Sequence, residues 1–371
     1  MDFKCKYMLV GKAHNMENDN VLFSKKIRVF SFIFAAGMIG YHANATVIWK
    51  NILLTDSMRD TIFSILDKIL TSMGSLGVTF FFINSAFLLY YNLNRDNMKG
   101  KIIRRLKTLG IPFLIWNVLG AVCYNLFVLN PKDSALEVIC KILFSDYCGV
   151  MWFIESLLLY LLMMPLIKLF SHKIFSFIFI AFLWILLKYI GLDIDIIRIG
   201  TAEWNVGRTI YYIPTYLLGA WIGVNYSSVV ISEKYRNKYV NILSIFTFIV
   251  GYAIQIFEGI DCSIVIIITA WISLPKAMFQ KCDNWKWYIS FYIYAIHEFI
   301  LGVAIIGVRK LKLDIYTINI VQAVLWRVIM IGVTLVIAII SAWIMIRFMP
   351  KLYSVLSGGR IPDLKGEGKE G

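Results

Sequence analysis

Ten runs of apolar residues, most close to membrane length, alternate along the chain with short polar segments rich in Lys and Arg. They fall at about 29–48, 73–91, 108–128, 150–168, 174–192, 209–226, 240–257, 262–278, 287–308 and 320–346. Roughly 20 apolar residues in helical conformation cross a bilayer core, so each run predicts one span. The expected fold is an all-α membrane protein, a single bundle of about ten transmembrane helices. No linker rich in Pro, Gly or Ser and no internal repeat divides it. The chain reads as a polar N-terminal segment (1–28), a transmembrane domain (29–348) and a charged tail (349–371). The first 28 residues lack an apolar core ahead of a small-residue cleavage site, so the first span is the expected insertion signal.

Composition agrees: 59% of the 371 residues are hydrophobic and 16% charged, where soluble domains carry about 25% charged residues. With the N-terminus inside, cytoplasmic segments hold 25 Lys and Arg and the outer loops 10. That asymmetry predicts both termini on the cytoplasmic side. The net charge of +14 is then mainly a topology signal, with attraction to anionic membrane lipid as a second reading. Nucleic acid is not an expected partner, because the basic residues flank spans and do not form a separate domain. No CxxC and no His and Cys at zinc-ligand spacing occur, so no metal is expected. A disulfide between Cys140 and Cys148, near the outer face, is left open.

His42 is the one ionisable residue inside the first run. An imidazole in hydrocarbon is costly unless it is paired or faces a cavity; the alternative is a neutral ring that hydrogen-bonds a neighbouring helix and only holds packing. At a helical rise of 1.5 Å per residue, His42 lies roughly 20 Å from the cytoplasmic end of its span. By the same rule Glu155 lies about 8 Å and Arg327 about 10 Å from the outer face, and His297 about 15 Å from the inner one. These depths predict that the four meet in one outward-leaning cavity. Glu298, next to His297, is turned away from it by about 100°. Glu155 and Arg327 also have plain readings, as groups reaching water at the membrane boundary.

Around His42 the motifs follow one order: FFFINSAFLLYYN, KGKIIRRLKTLGIPFLIW, MWFIESLLLYLLMMPLI, IYYIPTYLLGAWIG and SFYIYAIHEFIL. From about Lys25 to Ile346 the chain resembles the membrane acyltransferase-3 family, multi-pass O-acyltransferases that modify cell-surface polysaccharides. The resemblance implies a bacterial cell (inner) membrane and transfer of an acyl group, usually acetyl, from acetyl-CoA to a sugar hydroxyl of a polysaccharide or lipid-linked glycan. It implies that His42 is the essential catalytic residue. The family's basic residue eleven positions earlier is Ser31 here, with Arg28 and Lys26 further back. Phe81, Phe82, Ser85 and Leu88 match the second-span pattern, with Ala86 in the place of its glycine. The basic segment resembles paired arginines that approach CoA phosphates: Arg105 matches the first, Thr108 stands at the second, and Arg104, Arg105 and Lys107 put three charges in one turn. Those charges also read as a positive-inside anchor.

The chemistry suits these residues. A sugar hydroxyl needs a general base, and neutral His42 is one. Glu155 is the candidate to orient the imidazole, and Asn84, Ser85, Arg327 and His297 are candidates to hold the oxyanion or substrate. In a rival route His42 itself carries the acyl group. The alternatives from other classes are a polysaccharide exporter or flippase without acyl chemistry, and a glycan polymerase. The acceptor sugar, the acyl group and the oligomeric state are left open.

Overall fold

The computed structural model describes residues 3–43, 52–53, 64–91, 93, 95–127, 133–169, 171–190, 196–232, 237–273, 277–312 and 318–362. About 83% of it is helical. Helix α1 (Phe3–His42) leads to α2 (Ser64–Tyr90) and then to α3 (Arg95–Arg105), which runs through a π turn (Leu106–Gly110) into α4 (Ile111–Phe127). There follow α5 (Ala135–Leu143), α6 (Trp152–Leu162), α7 (Met164–Leu169), α8 (Lys173–Ile190), α9 (Val206–Tyr211), α10 (Ile213–Asn225) and α11 (Ser227–Ile231). The chain continues through α12 (Lys238–Phe257), α13 (Ser263–Ser273), α14 (Ala277–Gln280), α15 (Ser290–Lys310), α16 (Ile320–Phe348) and α17 (Pro350–Leu356). Among the described residues strand is confined to a parallel pair, β1 (Ile52–Leu53) with β4 (Ile318–Asn319), and an antiparallel one, β2 (Ile197–Ile199) with β3 (Ala202–Trp204).

Among the described residues five helices are long and apolar enough to cross a membrane: Ile65–Tyr90, Asp96–Leu126, Lys238–Phe257, Ser290–Lys310 and Val321–Phe348. The shorter apolar helices Gly149–Leu162 and Lys173–Leu187 join them. The protein is a multi-pass membrane protein. Two expected spans are broken because proline lacks the N–H that continues a helix and its ring crowds the preceding turn. Pro165 lies where α6 gives way to α7, and Pro214 where α9 gives way to α10. The first run differs as well. The polar segment and the apolar run from Val29 share one helix, which ends at His42 rather than near residue 48; residues 44–48 lie outside the described set.

Helix α2 is the central element, with Phe80, Phe82, Ile83, Ala86 and Phe87 all at most 1% exposed. Lipid is as apolar as the helix faces, so close backbone packing has to hold such helices together. Gly219 and Gly223 of α10 supply it. A Cβ on Gly219 would sit 2.3 Å from the Ile83 carbonyl oxygen, and one on Gly223 2.8 Å from that of Phe87. Between α1 and α2, Gly37, Gly40 and Gly74 instead make room for the side chains of Met73, Leu70 and Tyr41. Outward, α12 and α8 expose Tyr239, Leu243, Phe246, Ile174 and Phe175, an apolar surface that only lipid or protein can cover. Cys140 and Cys148 are both free thiols, so the disulfide left open above is not formed.

Candidate active site

The last turn of α1 is where the chemistry gathers. A helix leaves its final carbonyls without partners inside the helix. Here the Ile39 carbonyl accepts from the Ala43 amide, and the Gly40 carbonyl accepts from Nη2 of Arg327 at 3.1 Å. Arg327 of α16 is 1% exposed, and its Nη1 makes a 2.8 Å ion pair with Asp67 of α2. Arg327 therefore ties α1, α2 and α16 together two residues before His42. Two of its nitrogens are engaged, which makes it an anchor of the site, and its Nε is buried with no hydrogen-bond partner among the described residues.

His42 faces His297 of α15, with ring centroids 5.2 Å apart, and Tyr41 packs edge-on at 5.0 Å. His297 is fully buried. Its Nδ1 lies 2.7 Å from the Tyr294 carbonyl oxygen and 3.3 Å from that of Ile293. Both partners are acceptors, so Nδ1 carries the hydrogen. In a neutral ring Nε2 then holds a lone pair, and Nε2 is buried with no hydrogen-bond partner among the described residues. A buried polar atom left unpaired costs free energy, and at a reaction centre it is also a proton acceptor in waiting.

Glu155 is placed elsewhere. It is buried in α6, where its Oε2 accepts from the Ser145 hydroxyl at 2.9 Å. No hydrogen bond or ion pair joins it to His42. The depth estimate treated α6 as a straight insertion from outside, whereas a 3-10 turn at Gly149–Met151 precedes it and directs Glu155 toward the preceding loop. Glu298 turns away from His297 as its helical angle requires, accepting from the Val150 amide at 2.9 Å. The Tyr294 hydroxyl donates to the Val150 carbonyl.

A cavity of about 310 Å³ has Tyr294 in its lining, and neither His42 nor His297 is among its lining residues. Ser31, Phe81, Phe153 and Tyr294 line it, one from each of α1, α2, α6 and α15. So do Asn84 and Ser85, and the guanidinium-bearing Arg28, Arg105 and Arg360. Asn84 is buried with its side-chain oxygen unpaired. No Asp or Glu lines the cavity among the described residues. Of the three basic residues expected to act together, Arg105 alone lines the cavity; Arg104 and Lys107 are exposed. Pro112 explains the local geometry: it cannot donate to the Thr108 carbonyl, and the chain before it takes a π turn, a wider coil that re-aims side chains. Arg28 lies one turn below the family position at Ser31, and both reach the cavity, so the displaced charge remains at the site.

Three residues were not legible beforehand. Asp67 falls in a segment read as an outer loop. Arg208 of α9 is seated 5.9 Å over the Trp152 ring and acts electrostatically on His42. Its helix is fixed to α6 by the Ser156 and Thr209 hydroxyls, 2.8 Å apart, and by Tyr160 donating to the Thr209 carbonyl. Arg360 lies in the tail, where burial and the nearby Arg105 charge pull its pKa down to about 10, still high enough to keep it charged at neutral pH. No cluster that could hold a metal occurs among the described residues.

A family model for an acyltransferase domain matches residues 21–343. No curated protein and no solved structure matches the chain.

Proposed function

Because the chain belongs to the acyltransferase-3 family, we propose that it is a membrane O-acyltransferase that moves an acetyl group from cytoplasmic acetyl-CoA to a hydroxyl of a cell-envelope or exopolysaccharide sugar, in a bacterial inner membrane with both termini inside. One observation carries the reading: a single cavity is lined by three guanidiniums with no carboxylate partner among the described residues and by Tyr294, whose carbonyl oxygen holds His297, the ring that packs against His42. The arginines fit the phosphates of the donor, since the guanidinium fork matches phosphate oxygens. Asn84 offers its unpaired oxygen to an amide N–H of the pantetheine arm. Arg28 and His42, 14 residues apart on one helix, are separated by roughly 21 Å, a span that an extended arm bridges.

In the reaction the sugar oxygen attacks the thioester carbon while an imidazole nitrogen of the His42–His297 pair takes the hydroxyl proton. The C–S bond then breaks and the departing thiolate recovers that proton, leaving ester and thiol. His42 acts as the base, and its partner imidazole, with Nδ1–H fixed on the Tyr294 carbonyl, steadies the charge that His42 acquires. Arg208, over the Trp152 ring and outside the lining of the donor cavity, suits the oxyanion or the acceptor. The family supplies the transferase class, which favours this reading over a glycan exporter.

The test is NMR of surface polysaccharide from cells with and without the protein, before and after mild alkali. Alkali-labile ester signals should require the protein and vanish in His42→Ala and in His297→Ala, with each variant still present in the membrane. Full ester content in His42→Ala would refute the assignment.

A further inference from the structure

The tail beyond α16 is built into the cavity. Met349 breaks α16, and Pro350 starts α17, which turns back beside α4. Trp116 Nε1 donates to the Leu356 carbonyl at 3.1 Å. At Gly358 the backbone has φ +66°, and a Cβ there would lie 2.1 Å from the Thr108 carbonyl oxygen, which Pro112 leaves without its helical partner. Only glycine combines that left-handed backbone with so close an approach. The tail thus docks on the same π turn that aims Arg105.

Two residues on, Arg360 is fastened by its own loop: Nη1 donates to the Ser357 carbonyl at 2.7 Å, and the Ser357 hydroxyl donates to the Arg360 carbonyl at 3.1 Å. Its guanidinium lies 4.7 Å over the Phe291 ring, as that of Arg28 lies 4.3 Å over Tyr288. Elsewhere Arg327 has Asp67, Lys25 has Asp283, Lys141 has Asp133 and Arg198 has Glu203. Arg28, Arg105 and Arg360 share one cavity, and none of them has an ion pair among the described residues. Three like charges lining one cavity, two of them held on aromatic faces, repel one another, and an anion of high charge relieves that repulsion.

We infer that Arg360 is a donor-binding residue and that the tail segment 349–362 completes the donor site, with Arg360, Arg105 and Arg28 gripping the phosphate groups of acyl-CoA. This rests on the donor reading above but adds to it, because Arg360 lies outside the segment that the family model matches. With Arg360 in place the site holds its donor through a strap; without it two arginines remain.

The experiment is equilibrium binding to the full chain in nanodiscs of zwitterionic lipid, with acetyl-CoA and with S-acetylpantetheine, which lacks phosphates. Arg360→Gln should weaken acetyl-CoA binding at least tenfold and leave S-acetylpantetheine binding unaltered. Arg360→Lys, which keeps charge and loses the fork, should fall between, and it serves if the Gln variant does not fold. Lys351→Gln, exposed on α17, should match wild type. An unaltered acetyl-CoA affinity in Arg360→Gln would overturn the inference while leaving the donor reading intact; equal loss of both ligands would overturn it by showing a structural role. Wild-type protein that binds no acetyl-CoA would defeat the donor reading itself. A lipid phosphate in place of the donor would appear as phosphatidylglycerol retained on native mass spectrometry by wild type and lost from Arg360→Gln with acetyl-CoA affinity unaltered, and that result too would overturn the inference.

Discussion

Asp67→Asn tests whether Arg327 works by anchoring the end of α1. The substitution keeps size and removes the one carboxylate paired with a guanidinium that is 1% exposed. Breaking a fully buried pair costs about 3–5 kcal/mol, whereas an exposed pair is worth about 0–1 kcal/mol. Asp67 is 42% exposed, so water already shares its charge, and the expected loss lies between, about 2 kcal/mol. The Gly40 carbonyl keeps its bond only if Arg327 stays in place; a guanidinium drawn toward water would release it and shift His42. A displacement of about 1 Å at a reacting group costs up to roughly 100-fold in rate. Thiol release from saturating acetyl-CoA by purified protein supplied with membrane glycan should therefore fall about 10- to 100-fold, with the acetyl-CoA Kd unaltered. The double variant Asp67→Leu, Arg327→Leu should recover the thermal midpoint, because an apolar pair often replaces a buried ion pair without loss, yet stay slow. Unaltered turnover and midpoint in Asp67→Asn would refute the anchoring role, and a double variant of full activity would show that the pair serves stability alone.

The remaining expectations concern single contacts. Gly219→Val should abolish assembly of α2 with α10, since its Cβ would lie 2.3 Å from a backbone oxygen, whereas Gly302→Ala, with nothing within 4 Å, should leave the yield of folded protein unchanged. Glu155→Gln should lower turnover less than Asp67→Asn does, because its contact is Ser145 rather than His42; a loss as deep as that of His42→Ala would restore the carboxylate–imidazole pairing. Glu137 accepts from the Ser134 and Thr201 amides, which hold its carboxyl down to about 2 from 4.5. A depressed folded pKa gives stability that is complete above the unfolded value and lost as pH falls through the folded one. The protection of the Thr201 amide, its exchange rate relative to that of a free peptide at the same pH, should accordingly fall between about pH 4.5 and 2, and Glu137→Gln should remove that dependence.

Much was determined by the sequence alone. Apolar runs near membrane length dictate helices in lipid irrespective of what they pack against, which is why the membrane bundle and the family were legible from residue order. His42 and His297 stood out for a related reason: an ionisable group inside such a run is too costly to be idle. Arg105 was found through its neighbourhood, but periodicity could not separate it from Arg104 and Lys107, because the π turn ahead of Pro112 alters the rotation per residue. The breaks near Pro165 and Pro214 carried a signal, though hydropathy summed over a window passes over them. Only the tertiary structure decided who meets whom. Depth along a span says nothing of the direction a residue faces, so Glu155, at a suitable depth, answers Ser145, while Asp67, outside every expected span, reaches Arg327 across 260 positions. Arg360 shows the same limit at the other end of the chain. An arginine in a polar tail has no unusual local pattern; what marks it is a left-handed glycine seated on a carbonyl freed by a proline some 250 residues earlier, a contact that exists only once the bundle has closed.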